Sequence, residues 1–324
     1  MTRRRTVLLL PGLGAQRERM HAERYGADPV FTTAMDEFFV AAGPAGVVLR
    51  GHWLTAAPNP ALHDARIAQP LLFAVGHALG RSLLTYGPRP DALLGHGVGE
   101  LAAACLAGVC GPRAAAALLT ESSKALGETG AGLMLAVTAS PRVLIPLLSE
   151  DVTVAAENGP RQTVLAGSTR AVIRQRRRLE AVGLPTRTLP TRHGFHSPVL
   201  DEAADRFERA LTQVELRPPR MRMISCRTCR ELRPQEAVSP RFWAGQLVLP
   251  VRYWPTLRSL LDAEGNEPGL LLLDAGLDGS LGAPALRHPA VRSGRSEVRR
   301  LDGSGERAAA HRDESRADMA TTAV

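Results

Sequence analysis

The 324-residue chain is almost without lysine: of its 40 basic residues, only Lys124 is not an arginine. Against 32 acidic residues this leaves a net charge of +8. Aromatic residues are scarce as well, at 4% of the chain. A nucleic-acid interface needs basic residues clustered with aromatics on one face, and none is found, so no nucleic acid is expected as a partner. The densest basic run, RQRRRLE from Arg174 to Glu180, reads as the solvated side of a helix. The charge balance suits an acidic protein partner or an anionic thioester substrate instead. No apolar run approaches the roughly 20 residues of a membrane helix, so no membrane association is expected. The start, MTRRRTVLLLPGLG, has the basic and apolar parts of a signal peptide. Its apolar run is only Thr6 to Pro11, however, and no small-residue cleavage site follows. A buried strand and a cytoplasmic location are the expectations. Cysteines number four. Cys226 and Cys229 form a C-x-x-C without a second pair at zinc spacing. Cys105 and Cys110 lie in an alanine-rich helical stretch, so all four read as packing residues. Neither a metal nor a cofactor is expected.

What is present is an alternation of strands and helices. Thr6 to Leu10 reads as a strand leading into the turn PGLGAQ. Gln69 to Tyr86 carries Leu71, Leu72, Val75, Ala78, Leu79 and Leu83 at helical spacing, and Pro88 and Pro90 end that helix. DALLG is a short buried strand, and VGELAAACLAGV is helical up to Gly111 and Pro112. Between Gly132 and Pro190 the order is strand GLMLAVT, helix SPRVLIPLLSE, strands VTVAAE and QTVLAG, helix STRAVIRQRRRLEAVG and strand PTRTLP. This βαββαβ order is a split ferredoxin-like unit. The expected architecture is an α/β-hydrolase-like core from residues 1–131 and 191–288, with residues 132–190 inserted as a ferredoxin-like subdomain. Later elements are a helix from Leu200 to Leu216 and the strands RMISC and LLLLDAG. Residues 289–324 are polar and without periodicity, so they are expected to form no fixed structure.

Three separated motifs carry more specific information. LPGLGAQ (Leu10 to Gln16), GHGVGELAAACLAG (Gly95 to Gly108) and HGFHSP (His193 to Pro198) together resemble the malonyl-CoA:ACP acyltransferase family of fatty acid and polyketide synthesis. QPLLFAVGHAL from Gln69, AENGPRQTVLAG from Ala156 and LPVRYW from Leu249 extend the resemblance, in family order, from about residue 5 to 285. It implies an elbow serine that attacks an acyl-CoA thioester, with a histidine as general base. The acyl group then passes to the phosphopantetheine thiol of an acyl carrier protein. By position, His196 matches the base. Leu13 and Val98 would supply the backbone N–H groups of an oxyanion hole, although the family usually has glutamine where Leu13 stands. The carbonyl of Arg252 falls where the family orients its histidine. Asn158 matches a residue lining the site, and Gln69, His96 and His193 are placed about the substrate.

Two departures bear on function. The elbow reads Gly95-His96-Gly97-Val98-Gly99, with glycine where G-x-S-x-G has its nucleophile. Glu121, aligned by counting back from Met134, stands where the family's arginine would clasp a malonyl carboxylate, and a carboxylate there would repel it. HGFH resembles the form that accompanies malonyl selection, so the two selectivity signals disagree, and the charge argument carries more weight. Ser122, Ser123 and Cys105 are discounted as replacement nucleophiles. The expectation is an acyl-CoA:acyl-carrier-protein acyltransferase homologue impaired in serine-dependent transacylation. The alternatives are a non-catalytic accessory protein binding acyl-CoA or carrier protein, and a slow thioesterase or direct acyl transferase that uses His196. A monomer is the default expectation.

Overall fold

The computed structural model describes residues 3–56 and 58–301. Its larger sheet has the order β10-β9-β1-β2-β7-β8, formed by β1 (Arg5–Leu10), β2 (Ala92–Gly95), β7 (Met223–Ser225), β8 (Arg230–Glu231), β9 (Leu270–Asp274) and β10 (Glu297–Arg300). All pairs are parallel except β7 with β8. RTVLLL and LLLLD are nearly continuous apolar runs, as strands covered on both faces require. The covering helices include α1 (Pro29–Ala41), α2 (Pro44–Leu54), α3 (Ala65–Tyr86), α4 (Val98–Leu106) and α5 (Pro112–Gly127). One contiguous core joins them, with Trp53, Phe31, Phe73 and Met35 fully buried.

The second sheet is antiparallel, in the order β4-β5-β3-β6. It comprises β3 (Gly132–Val137), β4 (Val152–Gly159), β5 (Gln162–Ser168) and β6 (Thr186–Thr188). Helices α6 (Pro141–Leu144) and α7 (Thr169–Ala181) complete the βαββαβ ferredoxin-like unit. It has its own core, with Leu135, Val137, Leu165, Val172 and Leu179. The Ser168 hydroxyl accepts from the Ala171 N–H and caps α7. SPRVLIPLLSE was expected as one helix, but α6 gives way to a 3₁₀ turn at Ile145–Leu147. Pro146 cannot donate to the helix, so the α-helical ladder stops there.

The chain after Pro289 departs from expectation. Residues Pro289–Arg292 form a helical turn and β10 pairs with β9, matching Glu297 to Leu271 and Val298 to Leu272. Leu301 is buried, and its N–H donates to the Asp274 carbonyl at 2.7 Å. An edge strand has a solvated side, so arginine and glutamate do not prevent pairing. The remainder of the expected tail, 302–324, lies outside the described residues.

Candidate active site

Parallel sheets present their carboxyl ends to ligands, and two loops meet there in this chain. The register pairs Leu10 with Gly95, so the turn after β1 and the turn after β2 emerge side by side. The Ala15 N–H donates to the Gly12 carbonyl at 3.2 Å, closing the first turn over Leu13 and Gly14. The Leu13 N–H stands outside that bond and donates to no oxygen among the described residues. The second turn leads straight into α4, with Gly97 as its N-cap at φ 52° and ψ −122°. Val98 is the first residue of α4, so its N–H has no acceptor within the helix.

The glycines of these turns serve different needs. A Cβ on Gly12 would lie 2.2 Å from the His96 carbonyl oxygen, and one on Gly99 would lie 2.1 Å from the Leu10 carbonyl oxygen. A Cβ on Gly95 would meet the Glu100 nitrogen at 2.3 Å. Those three are required by close packing of backbone on backbone. Gly97 is not: a Cβ there meets only the His196 Nε2, at 4.0 Å. Its positive φ is the one constraint that favours glycine.

His196 is held by two backbone carbonyls and one side-chain hydroxyl. Its N–H donates to the Leu247 carbonyl at 2.7 Å, and its own carbonyl accepts from the Thr153 hydroxyl at 3.3 Å. Its Nδ1 donates to the Leu249 carbonyl at 2.8 Å. A carbonyl cannot donate, so Nδ1 carries the ring proton and Nε2 keeps its lone pair facing Gly97. His196 has φ 62°, uncommon for a residue with a side chain. The segment that holds it also pairs with β4: the Val251 N–H donates to Ala155 and the Glu157 N–H to Val251, both at 2.9 Å. The small sheet and the histidine are thereby tied to one stretch of backbone. Burial pushes the His196 imidazole down to about 4, with nearby His96 and Arg227 acting in the same direction.

The expectation for Arg252 is therefore corrected: the carbonyl that orients His196 belongs to Leu249. Arg252 is the N-cap of the helix Tyr253–Glu264, and its carbonyl accepts instead from the Thr256 N–H and hydroxyl, at 3.1 and 2.6 Å. A capping carbonyl is committed to the first helical bond.

A cavity of about 430 Å³ opens in front of these loops. Leu13, Gln69, His96, Gly97, Val98, Asn158 and His196 all line it. His96 Nε2 lies 2.8 Å from the Asn158 Oδ1, and its ring stands 5.5 Å from that of Tyr253. Burial lowers the His96 pKa. His193 does not reach the cavity. It is absent from the lining and is buried beside Phe195, and its Nδ1 has no partner among the described residues; burial lowers its pKa.

Glu121 is also corrected. It is outside the cavity, with its carboxylate half-exposed and paired at 2.6 Å with Lys124. The buried stripe of α5 runs through Leu118, Leu119, Ser122, Ala125 and Leu126, at helical spacing. Leu119 and Ser122 are the residues of α5 that face the cavity. Its buried wall also includes Met134, Phe195, Phe207 and Leu247, and its arginines, Arg17 and Arg187, are exposed at the rim.

One buried polar cluster had no signal in the sequence. Gln246 lines the cavity and donates from Nε2 to the Glu100 Oε2 at 2.7 Å. Burial raises the Glu100 pKa, opposed by Arg227. A single glutamine among apolar residues at this point has no motif to mark it.

A parallel sheet with a glycine elbow at the end of β2, a histidine aimed at that elbow and a ferredoxin-like unit beside the cavity define an acyltransferase-type domain. The chain belongs to the acyl transferase domain family, which it matches over residues 7–269. It is 33% identical over 285 residues to the mycoketide-CoA synthase of Mycobacterium tuberculosis, covering 86% of this chain and 7% of that protein. It is 32% identical over 270 residues to the spectinabilin polyketide synthase system protein NorB of Streptomyces orinoci, covering 79% of this chain and 12% of that protein. The chain thus spans only a small part of the length of these relatives. Among solved structures, the acyltransferase domain from the second module of the salinomycin polyketide synthase is similar with a TM-score of 0.82 and 31% identity, covering 95% of this chain and 72% of that one. The malonyl-CoA:acyl carrier protein transacylase (FabD) of Xanthomonas oryzae also gives a TM-score of 0.82, at 25% identity, covering 96% and 98%. No helix among the described residues is long and apolar enough to cross a membrane.

Proposed function

We propose that this acyltransferase homologue binds an acyl thioester, carried on coenzyme A or on an acyl carrier protein, without forming a covalent acyl-enzyme. Gly97 carries the reading. It is supported by the elbow, the neighbouring amides of Leu13 and Val98 and the oriented His196, which surround a position that has no hydroxyl. Ser122 is the one hydroxyl on the cavity wall that α5 provides, and it lies on a different element from the elbow. In Ser-His enzymes, loss of the nucleophile costs about 10⁶ in turnover.

The acyl group is an uncharged one. The buried wall of Leu119, Ser122, Met134, Phe195 and Phe207 holds no cation, so the carboxylate of a malonyl group would be desolvated without a partner, at a cost of several kcal/mol. Glu121 faces solvent and exerts no repulsion in the cavity; the desolvation of the carboxylate disfavours malonyl in its place. Titration calorimetry with propionyl-CoA and malonyl-CoA tests the reading. Propionyl-CoA is expected to bind more tightly, with no mass gained by the protein afterwards. Tighter malonyl-CoA binding would overturn the choice of acyl group, and a covalent adduct would overturn the reading as a whole.

A further inference from the structure

The empty elbow is not inert, because the lone pair of His196 Nε2 still points at it. We propose that a water molecule takes the place beside Gly97 and that the chain hydrolyses uncharged acyl thioesters slowly, with His196 as the general base. The inference rests on the reading that no acyl-enzyme forms, and it adds an activity to it.

Three observations carry it. The Leu249 carbonyl fixes the proton on Nδ1, so Nε2 can only accept. The Cα of Gly97 leaves open space on the side facing Nε2, since even a Cβ there would meet no other atom within 4 Å. The space belongs to a cavity with ample room for a water, and Nε2 offers that water a hydrogen-bond acceptor. The imidazole is neutral at physiological pH, as burial depresses its pKa to about 4. That makes it available but weak as a base, which is why the reaction is slow.

The step balances without a further reactant. The water oxygen bonds to the thioester carbonyl carbon as its proton passes to His196 Nε2. The carbonyl oxygen takes the negative charge, facing the Leu13 and Val98 N–H groups. When the oxyanion collapses, the carbon–sulfur bond breaks and the imidazolium returns its proton to the departing thiolate. The products are the carboxylic acid and the free thiol, and the histidine ends neutral.

The experiment measures coenzyme A released from propionyl-CoA by the native chain, by His196→Ala and by Gly97→Ala, with intact-protein mass recorded during turnover. Circular dichroism establishes that each variant is folded. Release is expected from the native chain with no adduct, falling by about 100-fold or more in His196→Ala. Gly97→Ala keeps the base but places a methyl carbon 4.0 Å from Nε2, displacing the water from its line of attack. Its release is expected to fall toward that of His196→Ala. A native rate no greater than that of folded His196→Ala overturns hydrolysis while leaving the non-covalent reading standing. An adduct on the native chain overturns both. If the histidine variant misfolds, the Gly97→Ala rate decides: one equal to native overturns the water site.

Discussion

A Cβ on Gly97 would lie 4.0 Å from the Nε2 of His196 and would touch nothing else. The elbow therefore has room for a side chain whose hydroxyl would meet an imidazole already oriented to accept from it. The neighbouring Gly95 and Gly99 have no such room. This contrast separates a glycine that the fold demands from one that only the chemistry misses.

It predicts opposite tolerances. Gly99→Ala forces a methyl group to 2.1 Å from the Leu10 carbonyl oxygen. It should destabilise the protein severely, by about 4 kcal/mol or more. Gly97→Ser should cost only the backbone strain of its positive φ, about 1–3 kcal/mol. Urea unfolding of the two variants checks this ordering.

The pH dependence of stability has a definite sign. Burial lowers His77, stacked on Phe73 within α3, to about 4, whereas an unfolded histidine titrates near 6.5. Stability from its neutral form is fully present above the unfolded value and is lost as pH falls from about 6.5 through 4. The loss is on the order of 3 kcal/mol by pH 4. His77→Leu should shrink this acid-side decline, measured as unfolding midpoint against pH. An unchanged decline would contradict the assignment.

Asn158 holds His96 through the 2.8 Å contact at Nε2. Asn158→Leu removes the acceptor and leaves that ring nitrogen unpaired among protein atoms. A loss of about 1–3 kcal/mol is expected, read by thermal unfolding with loss of propionyl-CoA binding.

Selectivity should respond at Ser122 and not at Glu121. Glu121→Arg changes an exposed residue whose ion pair with Lys124 is solvated. Stability should move by no more than about 0.5 kcal/mol, and the preference for propionyl-CoA over malonyl-CoA should not change. Ser122→Arg puts a cation in the cavity wall and should raise affinity for malonyl-CoA relative to propionyl-CoA in the folded variant.

Much of this arrangement was legible in the sequence because motifs fix short stretches of backbone. Gly95 to Gly99 specify strand, turn and helix together, and HGFHSP placed His196 opposite them. Counting back from Met134 across a loop points to Glu121, whereas the apolar period of α5, through Leu118, Leu119, Ser122 and Leu126, points to Ser122. That signal is present in the sequence. That the carbonyl of Leu249, and not that of Arg252, faces His196 has a different origin. Which carbonyl faces a histidine depends on where the next helix caps, and no side chain reports it. β10 carries no apolar pattern because an edge strand beside an apolar neighbour needs little hydrophobicity of its own. The Gln246 to Glu100 pair joins residues 146 positions apart, beyond the reach of any local pattern.

The most direct test compares the intact mass of the native chain with that of Gly97→Ser after incubation with propionyl-CoA. Only Gly97→Ser is expected to gain a propionyl mass, with peptide mapping placing it on the introduced serine. A propionyl adduct on the native chain would contradict it.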